Sequence, residues 1–335
     1  MTFHRPLAAA TISLIATMAQ ADPTIYPLEI TNCGQTVTFQ GAPKNAVALG
    51  QNSAEIMYLL GLEDRMGATA FWPNDVLPEV ANANAKVETL TKEFPTLEAV
   101  LAKQPDFVAA MLVTLMGPDS KVAKRDDFEK LGIPTYLSPS ACSVTQTSGD
   151  VYGARDKLWS MDLMYQEIDD LSRIFDVADR GQALIRDLKS REGALREQFK
   201  ARDDLTFLFW FSSPSPDDDA YLAGGNGPSG YIADVLGGAN AVRSETEWPT
   251  LGWEGIMAAN PTVIVAAQVD RARWNLDDAD NKVAFLKGDP LVSQMEVVRA
   301  GRIAVIPGQA MNPSVQTLFG AEALARQLDG FDLRK

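Results

Sequence analysis

The chemistry open to this chain is narrowed first by a residue it almost lacks. Its 335 residues include one histidine, His4. That residue lies in a segment with a basic start (His4, Arg5), an apolar stretch from Leu7 to Ala19, and a closing Ala19-Gln20-Ala21. Such a small-x-small ending is the pattern of a cleavable secretory signal, here 1–21, followed by the polar Asp22-Pro23-Thr24. The mature chain is therefore expected to carry no histidine. Serine–histidine and cysteine–histidine nucleophiles and histidine-ligated zinc, manganese or haem all need an imidazole as base or ligand, so these classes fall away. The expectation is a protein that is not an enzyme, with no catalytic residue, no protein-held metal and no intrinsic cofactor. A secreted α/β hydrolase would need a nucleophile with its base, or a metal cluster, and neither is visible.

Other reactive groups have plain readings. Cys33 and Cys142 form an isolated pair, which in an oxidising compartment reads as a disulfide tying the N-terminal segment to the first half of the chain. No cysteine closely follows Ala21, so a soluble periplasmic protein without a lipid anchor is expected. Asp217-Asp218-Asp219 lacks the alternate spacing and closing glutamate of a calcium loop and reads as solvated. The run Gly224 to Gly230 lacks the Gly-Lys-Ser/Thr ending of a phosphate loop and reads as a turn into a helix.

Binding chemistry is better represented. Arg271 and Arg273 stand together after a predicted strand in an acidic protein; they either clamp carboxylates or phosphate on a ligand, or pair with Asp270, Asp277 and Asp278. Trp72, Tyr221, Trp248 and Trp274 are aromatic residues in polar surroundings, where a binding face and simple packing are both open. Asn52 and Met311 follow or adjoin predicted strand ends and complete the candidate ligand set.

The elements that must position these residues recur. Leu97-Glu98 to Ala110 and Trp253-Glu254 to Ala266 share a helix, a proline (Pro105, Pro261) seven residues after the glutamate, and a buried strand, Phe107 to Val113 and Val263 to Ala267. Ile56 to Gly61 and Ile232 to Gly237 are helix ends closed by glycine, and Gly132 and Gly301 each precede a strand. Three matches in one order predict two related α/β lobes with parallel-rich sheets. The lobes are expected at 22–156 and 202–335, with a helical linker at 157–201. In that linker Met164, Ile168, Leu171 and Phe175 form a buried stripe, and a charged helix of ~20 residues would make a strut ~30 Å long. The hydrophobic content of 46% suits two real cores. A net charge of −14 argues against nucleic acid or an anionic membrane as partner, and no later stretch is apolar enough for membrane insertion.

Together these segments resemble a known family: the periplasmic binding proteins for ferric siderophores, haem and cobalamin. The resemblance covers most of the mature chain. It includes the opening hairpin Leu28 to Phe39, Ala42-Pro43 to Leu49, Asn52 to Leu62, the two Glu–Pro segments, and Gly301 to Pro307. It implies two Rossmann-like lobes joined by one long backbone helix, a small ligand in the cleft between them, and a monomer serving the transmembrane permease dimer of an ABC importer. It also implies that Glu98 and Glu254 dock into arginine pockets of the permease. The cargo so implied is a ferric siderophore or similar iron chelate; cobalamin, haem or another anionic cofactor-like molecule would fill the same role. A sensory module that never meets a transporter is the remaining alternative.

Overall fold

A computed structural model describes residues 22–72, 74–145 and 153–333. The expected signal, 1–21, lies outside the described residues. Eight helices matter below: α1 (Gln51–Leu59), α2 (Leu97–Leu101), α3 (Val113–Met116), α4 (Asp162–Ile174), α5 (Ala178–Gln198), α6 (Pro228–Val235), α7 (Trp253–Ala259) and α8 (Gln316–Leu328).

The chain opens with the expected hairpin. β1 (Leu28–Asn32) and β2 (Gln35–Phe39) pair antiparallel through a two-residue turn in which Cys33 and Gly34 take φ of 52° and 78°. Positive φ at both turn positions matches the right-handed twist of the strands. Asn32 then anchors the hairpin: its side chain donates to the Leu137 carbonyl and accepts from the Leu137 amide, both at 2.8 Å. The Cys33–Cys142 disulfide, with Cα atoms 5.4 Å apart, fastens the same corner.

Two separate sheets follow. In the first, β4 (Met66–Ala70), β3 (Ala46–Leu49), β5 (Phe107–Ala110) and β6 (Thr135–Leu137) lie in that order, all parallel. Every residue of β3, β5 and β6 is buried, as continuous apolar runs require when helices cover both faces. In the second, the order is β10 (Thr250–Leu251), β8 (Ala220–Leu222), β7 (Thr206–Ser212), β11 (Val263–Gln268), β12 (Ile303–Pro307), with β9 (Ala239–Asn240) also on β7. Here β9, β7, β11 and β12 run parallel, while β8 pairs antiparallel with β7 and β10 antiparallel with β8. The structure thus has the two parallel-rich α/β units that the repeat predicts.

The repeat reaches the backbone. Gln104 and Asn260, the residues before Pro105 and Pro261, both adopt left-handed φ, 52° and 43°. Each reverses the chain after its helix, where the following proline bars further helix. One expected strand is shorter: β5 stops at Ala110 rather than Val113, and α3 begins where strand was expected. Its neighbours explain this, because β3 ends at Leu49 and β6 at Leu137, both opposite Ala110. Beyond that point no strand remains to receive the ladder.

The helical linker expected at 157–201 forms two helices. α4 carries the predicted stripe of Met164, Ile168 and Leu171, all buried with Phe175. The chain breaks at Asp176, φ 55°, and resumes as α5, whose 21 residues span roughly 30 Å. α5 bonds to elements on both sides: Arg180 donates to the Leu60 carbonyl after α1, Glu192 accepts from Tyr165 of α4, Arg191 grips Glu322 of α8 through two 2.7 Å bonds, and Arg196 reaches Asp234 of α6. Beneath these elements one apolar cluster runs continuously from Ala46 and Phe107 of the first sheet to Phe207 and Val263 of the second. Each sheet also has an outer cluster of its own.

Because the disulfide closes a loop of 109 residues, replacing Cys33 and Cys142 with serine is expected to lower unfolding free energy by about 2–4 kcal/mol. Chemical denaturation with and without the bond measures this. A loss near zero would mean that Asn32 alone holds the hairpin.

Candidate functional site

In open α/β sheets ligand sites form beyond the carboxyl ends of the strands. Here the two sets of strand ends face each other, as bonds between the halves show. Past β4, Asn74 donates to the Gln268 carbonyl at the end of β11 (2.8 Å), and the Asp75 amide to the Asp270 carboxylate (3.0 Å). Arg273 pairs with Glu93 at 2.9 Å. The Asn52 side-chain oxygen accepts from the Val315 amide (2.8 Å), and Gln316 donates to Glu55 (2.7 Å). Arg155 and Glu247 form a buried ion pair on another flank, where the Arg155 amide also donates to the Glu245 carbonyl.

Along the second sheet's edge lies a row of aromatic rings. Trp248 packs on Phe211 with centroids 4.6 Å apart, and Tyr221 stacks on Trp274 at 5.5 Å with planes 12° from parallel. Arg271 links the pairs, its guanidinium 5.6 Å from the Phe211 ring and 5.1 Å from the Trp274 ring. All four rings are half-buried. One carboxylate organises this loop. Asp277 accepts from Ser212, from Arg271 and from the amides of Arg273 and Trp274. Burial opposes its charge, but the bonds from Ser212, Arg271 and Trp274 outweigh it and hold its pKa below the usual aspartate value. The sequence suggests Asp277 as a surface partner of the arginines; its side chain is 1% exposed, because it is the acceptor around which the loop folds.

The facing lip is simpler. Phe71, immediately after β4, sits at φ 66° and packs on Phe94 with centroids 4.8 Å apart; Lys121 lies over Phe94. A bulky residue in the left-handed region costs on the order of 1–3 kcal/mol, so the surrounding structure must hold it. The Phe71 amide bond to the Thr91 carbonyl (3.0 Å) does part of this.

The candidate ligand residues therefore separate into two groups. Tyr221, Trp248, Arg271 and Trp274 come together on one edge, with Arg273 at its end. Asn52, Trp72 and Met311 are 0%, 6% and 1% exposed and lie beneath that level. Trp72 stacks on Tyr58 and donates to Thr69, while Met311 is part of the continuous core. Phe211, Phe94 and Asp277 stand outside the predicted ligand set. Phe211 is the penultimate residue of β7 and is within reach of a strand-end argument; Phe94 carries no such local signal. The glycine run serves close packing: a Cβ on Gly224 or Gly230 would meet the carbonyl oxygens of Thr246 and Gly225. A separate recess of about 220 Å³ lies between Asp204, Asn260, Glu296 and Arg302. It opens at the amino ends of the strands, away from the facing edges.

Under the strand ends is a buried polar layer. Glu167 of α4 accepts from Asn52, Ser53 and Ser138. Glu55 of α1 accepts from Gln51, the Leu77 amide and Gln316 on one oxygen, and its other oxygen is buried without a partner. Burial pushes both carboxyls up to about 7, and the proton of neutral Glu55 has a place on that unpaired oxygen.

Two parallel-rich sheets that present strand ends to each other, with half-buried aromatic rings at the junction, define a two-lobed binding protein. The chain belongs to the periplasmic binding protein family, whose sequence model matches residues 47–310. It is 24% identical over 257 residues, 76% of this chain and 74% of the relative, to an uncharacterized ABC transporter substrate-binding lipoprotein, YvrC, of Bacillus subtilis. A periplasmic binding protein from Veillonella parvula superposes with a TM-score of 0.73 at 23% identity, covering 91% of this chain and 98% of that one. An ABC-type Fe3+-hydroxamate transport system structure from Saccharomonospora viridis gives 0.69 at 23% identity, covering 91% and 99%.

The Glu55 carboxyl generates a pH prediction. Its folded pKa lies above the unfolded value, so its contribution is fully present below about pH 4.5 and is lost as pH rises through about 7. Glu55→Gln mimics the neutral acid. Its stability relative to the parent is expected to rise between pH 5 and 8, by up to roughly 3 kcal/mol, because a tenfold difference in proton affinity between the folded and unfolded chains is worth about 1.4 kcal/mol. Thermal melts of both proteins across that range test it; a constant difference would show that Glu55 is ionised throughout.

Proposed function

We propose that this protein is the solute-binding component of an ABC uptake system, capturing a ferric siderophore or similar iron chelate between its lobes and delivering it to a dimeric permease. The reading places it in the periplasm as a monomer, exported by the cleavable signal at 1–21. The observation that carries it is the equivalence of Glu98 and Glu254. Each is exposed, each is the second residue of its helix, and each helix is followed by a left-handed residue before a proline and a buried strand. A carboxylate in a first turn is favoured by the helix dipole and points to solvent. Two such acids on related lobes fit a partner with matching symmetry and basic pockets.

Family membership supports the transport role, and the similarity to an Fe3+-hydroxamate transport structure supports the cargo class. A chelate also brings its own iron ligands, which suits a chain whose one histidine is His4. The edge of the second sheet supplies aromatic faces for the organic shell. Binding and release, with no bond made or broken, are what this arrangement is suited to do.

The test is charge reversal. Glu98→Arg with Glu254→Arg is expected to abolish uptake in cells, while the purified variant keeps its ligand affinity within about threefold, since the charges lie outside the cleft. Normal uptake, or affinity lost with uptake, would defeat the docking assignment.

A further inference from the structure

We infer that the cleft grips its ligand between two aromatic jaws, Phe71–Phe94 on one lip and Tyr221–Trp274 on the other, and so selects a chelate bearing flat aryl or conjugated surface over an aliphatic one of equal charge. The inference rests on the solute-binding reading above and narrows its ligand class.

Placement comes first. The Arg273–Glu93 pair spans the two lips, Trp274 follows Arg273, and Phe94 follows Glu93. One ion pair therefore brings both aromatic pairs to the same point of the cleft from opposite sides. The pair itself is exposed on both sides and holds the lips only weakly, so a ligand can part it. Both lips are also held in unusual backbone: Phe71 has φ 66°, and Ala272, just before Arg273, has φ 51°. Strain of this kind persists where the surroundings fix a side chain in a required place.

Chemistry comes second. All four jaw rings are half-buried, and the nearly parallel Tyr221–Trp274 stack presents flat π surface to anything entering beside it. Both arginines are paired with carboxylates, Arg271 with a buried one and Arg273 with an exposed one. Arg271 is bound to Asp277 and seated on Phe211 and Trp274, and Arg273 is engaged by Glu93. The carboxylates of Asp75 and Asp270 stand on the same seam. The recognition surface left on this part of the cleft is mainly aromatic, with the Lys121 ammonium 4.7 Å over the Phe94 ring as the cation beside it.

Two probes isolate that feature: iron(III) tris(benzohydroxamate) and iron(III) tris(acetohydroxamate). They share the metal, the six oxygen donors and zero net charge, and differ in phenyl against methyl. Calorimetric titration in excess hydroxamate, with free benzohydroxamate as control, is expected to show the phenyl chelate binding at least about tenfold tighter. The double variants Phe71→Ala/Phe94→Ala and Tyr221→Ala/Trp274→Ala should each bring that preference below about threefold, whereas Glu93→Gln/Arg273→Gln should keep it. Equal affinity of the parent protein for the two chelates, which requires no variant to fold, overturns the inference. So does a preference that survives both double alanine variants. If neither chelate binds, haem and cobalamin are titrated: macrocycle binding lost in both variants upholds the jaws and removes the ferric-chelate reading. Macrocycle binding indifferent to them, or none, overturns the jaws.

Discussion

The structure depends on a seam of hydrogen bonds between two sheets that meet by their strand ends rather than their faces. Such an arrangement leaves main-chain groups at the ends of parallel strands without ladder partners, and unpaired polar groups are costly once buried. Each half supplies what the other lacks. Asn52 of the first lobe takes the amide of Val315, Gln316 of the second donates to Glu55, and Asn74 donates to the carbonyl of Gln268. Asn52 and Asn74 lie within four residues of a strand end, where a short side chain can cross between the sheets, and Gln316 reaches across from the first turn of α8. The seam explains why several polar residues in this region are fully buried.

Two layers therefore occupy the junction. The lower is polar, largely but not fully closed by internal bonds, and includes two carboxyls that burial biases toward the neutral form. The upper is aromatic, half-buried, and kept in register by one ionised carboxylate, Asp277. The contrast between these acids is environmental. Asp277 gathers donors from a hydroxyl, a guanidinium and two amides, enough to outweigh its burial. Glu55 concentrates its donors on one oxygen and leaves the other bare. The same residue chemistry thus yields a rigid ionic anchor in one place and a carboxyl pushed up to about 7 in the other.

Most of the fold was legible in the sequence because its signals are local. The Glu–Pro spacing, the glycines closing helices and the apolar strand runs each constrain a few consecutive residues, and each recurs. The Cys33–Cys142 pairing was legible because no other cysteine competes. The break at Asp176 was not, since nothing about an Asp-Val pair in a helical pattern demands a left-handed turn. At the site, residue type suggested Tyr221, Trp248, Arg271 and Trp274, and the fold brings them together. Asn52, Trp72 and Met311 satisfy the same rule of lying near a strand end, yet depth below the edge is a tertiary property that spacing does not encode. Of the pairings open to the arginines, that of Arg271 with Asp277 was local and legible, whereas the partner of Arg273, Glu93, lies 180 residues away and no spacing points to it.

The continuous apolar cluster beneath both sheets has a consequence for modularity. Proteins built from separable units melt in stages and tolerate exchange of one unit for a homologue. Here Phe107 and Val263 belong to one cluster reached from both sheets, so neither half owns a complete interior. Heat should dismantle the molecule in a single cooperative transition. A chimera that swaps one half must replace the shared interior together with the seam above it. The chain carries two copies of one plan, and packing joins them through one interior.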